Sequence, residues 1–216
     1  RARCLQASFE PASISLRNLT IMATKLAHSD LYSLEEYSRM RDDFRARVLE
    51  HKQHRHVAIG SHVSLHFEDS LTMQYQIQEM LRVEKIFEAA GIQDELDAYN
   101  PLIPDGSNWK ATMLIEYQEV DERQVALQKL LGIEDQIWVQ VAGGARAYAI
   151  ADEDMDRATE DKTSAVHFLR FELTAEDVSH LRGGKGLSIG ISHAEYDVAV
   201  AEIAETIRES LLADLD

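Results

Sequence analysis

Apolar residues recur along this chain of 216 residues at two spacings, and the switches between them predict its elements. Leu34, Tyr37, Phe44 and Val48 recur at helical spacing behind Ser33-Leu-Glu-Glu36, a capping box, which predicts a helix over 33–52 with a break near Met40. Val57 and Ile59, then Val63, Leu65 and Phe67, are all odd-numbered. That alternation predicts a half-buried hairpin turning at Gly60-Ser61. Met73, Ile77, Met80, Leu81 and Phe87 return to helical spacing over 72–90, with Gly91 placed as the C-cap.

Two of the three prolines, with Asp-Gly and Ser-Asn, make 99–110 a long turn-rich loop, and a strand over 112–117 follows. Asp121 heads a helix closed by Gly132, and strands over 137–141 and 148–150 bracket Gly143-Gly144 as a second hairpin. An acidic connection leads to a strand over 165–173. Thr174 and Asp177 cap a short helix ending at Arg182-Gly183, and a strand covers 187–191. Val200, Ile203, Ile207 and Leu211 give the tail an amphipathic helix. Hairpins joined by single helices, without repeated strand-helix-strand units, predict an α+β fold: a mostly antiparallel sheet with packed helices in a single domain over 22–216.

Residues 1–21 carry no such pattern. They are rich in Arg and Ser with Glu10 as their one acid, superficially like a transit peptide, but Met22 resembles an ordinary start. The expectation is a disordered tail or an over-extended reading frame. Cys4, the only cysteine, lies within it, so a disulfide inside the chain and a four-thiolate iron–sulfur site are both excluded.

With 22 basic against 38 acidic residues, the net charge of -16 repels phosphate backbones and anionic lipid, so nucleic acid and membranes are poor partners. No apolar run reaches the roughly 20 residues that a membrane helix needs, and the expected location is the cytoplasm. Within this acidic body, 39–56 is locally basic. Arg41, Arg45 and Arg47 are its candidate partner-binding residues, against the simpler reading of a solvated helix face.

Five histidines crowd the stretch HKQHRHVAIGSHVSLH, residues 51–66. On a strand His62 and His66 lie roughly 13 Å apart, too far to share a metal ion. If odd residues pair with odd across a three-residue loop over Gly60 to His62, His56 faces His66 and His54 faces Glu68, which leaves His54, His56, His66 and Glu68 as a disfavoured metal set. The run from Asp152, DEDMDRATEDKT, has calcium-loop acids but Arg157 where the turn needs Gly, and reads as a solvated acidic loop. Arg182-Gly-Gly-Lys-Gly186 lacks phosphate-loop spacing, and no GxSxG elbow is present. No cofactor is implied.

The better candidates for a pocket lie elsewhere. Glu79 and Arg82 flank the 72–90 helix, and Glu84 falls within its apolar stripe, where a buried carboxylate needs a partner. The 99–110 loop supplies Asn100, Asp105, Asn108, Trp109 and Lys110, and Glu116 on the next strand is placed to face them.

LYSLEEY (31–37), TMQYQIQEMLR (72–82), ELDAYNPLIPDGSNWKATMLIEY (95–117) and KTSAVHFLRFEL (162–173) resemble a bacterial family of uncharacterised proteins, one of the numbered domains of unknown function. The resemblance implies genomic company: a rubrerythrin-like di-iron protein and an iron–sulfur oxidoreductase of the heterodisulfide-reductase or glycolate-oxidase-subunit kind. It assigns no catalytic residue. His54 and His56 lie outside the family pattern. The resulting expectation is a non-catalytic accessory or interaction protein serving a peroxide-detoxification or electron-transfer system. The alternative is a small-molecule enzyme or binding protein with its pocket between the 72–90 helix and the 99–110 loop.

Overall fold

The computed structural model describes residues 25–153, 157–159 and 161–216. The expectations for residues 1–21 and for the centre of the acidic connection lie outside the described residues.

Helix α1 (Leu34–Gln53) starts as its sequence dictates: the Ser33 hydroxyl accepts from the Glu36 amide while the Glu36 carboxylate accepts from Ser33. It runs unbroken through Met40, and its buried face, Tyr37, Phe44 and Val48, packs aromatic edges against Tyr32 and Tyr75. The hairpin follows as β1 (His56–Ile59) and β2 (Val63–Glu68), in the odd-to-odd register.

Helix α2 (Ser70–Glu84) is capped by Asp69 and stops earlier than its apolar spacing suggests. Its inward stripe, Met73, Ile77 and Leu81, would next require an apolar residue at 85. Lys85 stands there instead, in the left-handed region at φ 57°, and the amides of Lys85 and Ile86 close on the Leu81 carbonyl. The chain reverses into α3 (Ala89–Tyr99), whose Ile92 and Leu96 pack on Ile77 and Leu81. Gly91 is therefore inside a helix and not a cap; a Cβ there would meet the Ile86 side chain at 2.7 Å. Phe87, expected on the buried stripe, is 74% exposed.

A 3-10 turn over Asn100–Leu102 shortens the expected loop, and β3 (Asn108–Ile115) begins four residues before its predicted start. Then come α4 (Val120–Lys129), β4 (Ile137–Val141), β5 (Arg146–Tyr148), β6 (Ile150–Ala151) and β7 (Val166–Glu172). Helix α5 (Ala175–Arg182) carries the expected Thr174–Asp177 capping box. β8 (Leu187–His193) pairs with β9 (Tyr196–Val200), a strand absent from the expected elements, whose last residue was expected to open the tail helix. Val200 belongs to the period-two set Tyr196, Val198, Val200. The last helix, α6, spans only Glu205–Leu212.

The fold is α+β, as expected, with its strands in two antiparallel sheets, β1-β2-β3-β7-β6 and β5-β4-β8-β9. The chain passes between them at Ala149. One apolar core joins the sheets, built from odd-numbered residues on both sides: Leu65, Phe67, Met113 and Phe171 from the first, Ile137, Val139, Ile189 and Ile191 from the second. Helices α1 to α3 have small cores of their own. Among the described residues no helix is long and apolar enough to cross a membrane.

Candidate functional site

Because odd residues of the first sheet point into the core, even residues form its other face. Register aligns Glu68, Lys110, Arg170 and Ile150 across β2, β3, β7 and β6. Beside this row the end of α3 and the turn after it rise as a wall. A groove of about 480 Å³ lies between them, with Tyr99, Pro101, Leu102 and Phe168 as its apolar lining and Asp97, Lys110, Glu153 and Arg170 as its charged groups.

The charged groups are not equivalent. Glu153 grips Arg170 through two hydrogen bonds of 2.7 and 2.8 Å, and Glu172 holds the same guanidinium from the other side. The Arg170 hydrogen bonds hold the Glu153 carboxyl below the ordinary range. Buried Glu68 faces Lys110 across β2–β3 yet accepts from the hydroxyls of Thr72 and Thr112, both at 2.7 Å. Lys110 is thereby left half-buried with no hydrogen bond or ion pair among the described residues. Burial, then the Arg170 charge, push its ammonium below the ordinary lysine range.

Other residues expected at a pocket have structural partners. Glu79 accepts from the Tyr37 hydroxyl and pairs with Arg41 and Arg82 between α1 and α2. Glu84 is exposed and needs no partner, which corrects its placement in the apolar stripe. The Asn100 amide clamps the Leu26 backbone, accepting at 2.7 Å and donating at 2.9 Å. Asp105 folds its own turn by accepting from Ser107, and Asn108, 1% exposed, donates to Glu172. Trp109 lies in the core with its indole N–H on the Leu211 carbonyl, and Glu116 accepts from Ser64. Only Lys110 of that set lines the groove.

The histidines do not converge. His56 faces His66 with ring centroids 4.7 Å apart, but His54 ends α1 and lies outside the hairpin, so it does not oppose Glu68. Among the described residues no group of three or more His, Cys, Asp and Glu side chains is arranged for a metal ion. Arg41 is tied to Glu79, which leaves Arg45 and Arg47 as the exposed arginines of the candidate trio, Arg47 lying over the Phe44 ring at 4.9 Å. Asp152, read as solvated, is instead engaged: it accepts from the Phe168 amide and sits 2.5 Å from Nδ1 of fully buried His167.

Sequence reasoning missed a second cluster. Arg55, 2% exposed, hydrogen-bonds the carbonyls of Phe67, Glu68 and Ser210 and pairs with Asp214 and Asp69, while His51 lies 2.5 Å from Asp69. Burial opposes the ionisation of Asp69, yet His51 and Arg55 hold it below the ordinary range. Burial dominates at Asp214 and pushes it up to about 6. These residues border a cavity of about 220 Å³ also lined by Leu71, Ile103 and Pro104. Arg55 and Asp214 are 159 positions apart, so no local pattern announces the pair.

An α+β protein of two antiparallel sheets, with this groove on one outer face, is the class that fold and geometry define. A family model described as protein of unknown function (DUF3501) matches residues 25–215, and the chain belongs to that family. The crystal structure of a novel protein of unknown function from Burkholderia pseudomallei is similar, at 51% identity and TM-score 0.85, over 89% of this chain and all of that one. No curated protein matches.

Proposed function

We propose that the protein is a small-molecule-binding protein whose site is the groove at Lys110. The observation that carries this reading is a half-buried lysine with no hydrogen bond or ion pair among the described residues, in a groove whose other charged groups, Asp97, Glu153 and Arg170, have partners of their own. Holding an ammonium half-buried and unpaired weakens its solvation without a compensating partner, and an incoming oxygen-bearing ligand supplies that partner. The ligand class is a compact organic molecule with an apolar body and a carboxylate or carbonyl oxygen directed at Lys110. Tyr99 and Phe168 supply aromatic surface for the body. A thermal-shift titration with benzoate tests it: a saturable rise in melting temperature supports the reading, provided that Lys110→Met abolishes it. No shift at millimolar benzoate counts against it.

A second reading, compatible with the first, is an accessory role beside a rubrerythrin-like di-iron protein or an iron–sulfur oxidoreductase in peroxide or electron-transfer metabolism. It is favoured by the family resemblance and by a net charge of -16, which steers the chain towards a basic partner surface. Arg45 and Arg47 on α1 then form an oppositely charged contact point. Co-purification with either partner at low salt, lost in Arg45→Glu/Arg47→Glu, supports it. Indifference to both partners at low salt removes it.

A further inference from the structure

We infer that Lys110 is a carbonyl-reactive amine, and that the groove takes small aldehydes or ketones, which Lys110 captures reversibly as an imine. This rests on the small-molecule reading of the groove and narrows its ligand class.

The placement of Lys110 meets what amine nucleophilicity requires. Capture of a carbonyl needs a neutral amine, and a lysine gains neutral character when it is desolvated or set beside another cation. Lys110 has both conditions. Its cross-strand neighbour on β7 is the like-charged Arg170, and the cross-strand carboxylate on β2, Glu68, is turned to Thr72 and Thr112. Glu153 and Glu172 are both engaged by Arg170, and Asp105 accepts from Ser107. Asp97, on the groove wall, accepts from Gln93, so each of these carboxylates is hydrogen-bonded to a group other than Lys110. Burial, then the Arg170 charge, lower its titration and outweigh the opposing pull of the Glu153, Asp105 and Glu172 charges. The groove, about 480 Å³, has space for a ligand of the size of an aromatic aldehyde.

The step balances within the pair. The Nζ lone pair attacks the carbonyl carbon and forms the C–N bond while the C=O π electrons move to oxygen. A proton passes from nitrogen to that oxygen, giving a carbinolamine. Loss of water then leaves the imine, and its hydrolysis regenerates the amine. No oxidant or reductant enters.

Reductive trapping of the full chain tests this, with benzaldehyde as probe, cyanoborohydride to fix the imine, and peptide mass mapping of every lysine. Lys25, Lys85, Lys129, Lys162 and Lys185 are exposed and serve as internal references, with Lys52 as a partly buried one. The expected result is labelling of Lys110 about tenfold faster than the references at neutral pH, slowed by added benzoate. In Lys110→Arg the reference labelling persists and the fast phase vanishes. Lys110 labelled no faster than the references, while benzoate still raises the melting temperature, overturns the imine and leaves the binding reading intact. Failure of both labelling and benzoate binding overturns the two together.

Discussion

Arg41 on α1 and Glu79 on α2 meet in a two-pronged ion pair, Nε to Oε1 at 2.7 Å and Nη2 to Oε2 at 2.9 Å, with the Tyr37 hydroxyl donating to the same Oε1. Arg82 adds a further contact from α2 itself. The Arg41 hydrogen bonds lead in holding Glu79 at about 2, below the ordinary glutamate range. A carboxylate with a lowered folded-state value stabilises the fold above its unfolded value, and that contribution fades as pH falls towards 2. Glu79→Gln is therefore expected to lower stability by about 2 kcal/mol near neutrality and by progressively less in acid. Urea unfolding of both proteins across the acid range checks the convergence.

Lys110 makes the opposite prediction. Its charge is half-buried and unpaired, so Lys110→Met, which keeps the apolar stem and removes the ammonium, is expected to stabilise the fold by about 1 kcal/mol. For a chain of this length that is roughly 2–4 °C in melting temperature. A site that costs stability is a mark of function rather than of packing. A melting temperature lower than that of the parent protein in calorimetry would mean that Lys110 has a structural partner.

Asp214 should betray itself through pH. Burial raises it to about 6 despite Arg55. A carboxyl raised in the folded state contributes stability that is full below the unfolded value and lost as pH climbs through the folded one. Asp214→Asn keeps an acceptor for Arg55 but does not titrate. Relative to the parent, the variant is expected to gain about 2 kcal/mol between about pH 4 and pH 7. A difference that stays flat with pH, measured by denaturant titration, contradicts the raised value.

The hairpin of β1 and β2 was legible because its odd-numbered apolar set fixes the faces and a three-residue loop over 60–62 fixes the register, and His56 does face His66. The capping boxes at Ser33 and Thr174 were legible because they are local. The end of α2 was not. Gly91 mimicked a C-cap, while the actual stop, a left-handed Lys85, has no glycine to mark it. Trp109 is a pocket candidate in the sequence because it sits within the turn-rich 99–110 stretch, yet β3 begins at Asn108 and turns it into the core. The groove was only half legible. Tyr99 and Lys110 lie in the loop that the sequence singles out, whereas Phe168, Arg170 and Glu153 reach them through a β3–β7 pairing that no local pattern encodes.

The central claim is that the groove at Lys110 is where a small molecule binds. Amide chemical-shift mapping during a benzoate titration tests it most directly. The account predicts saturable perturbations centred on Tyr99, Leu102, Lys110, Phe168 and Arg170, absent in Lys110→Met. Perturbations centred instead on His51, Ser210 and Asp214, or no saturable change anywhere, would contradict it.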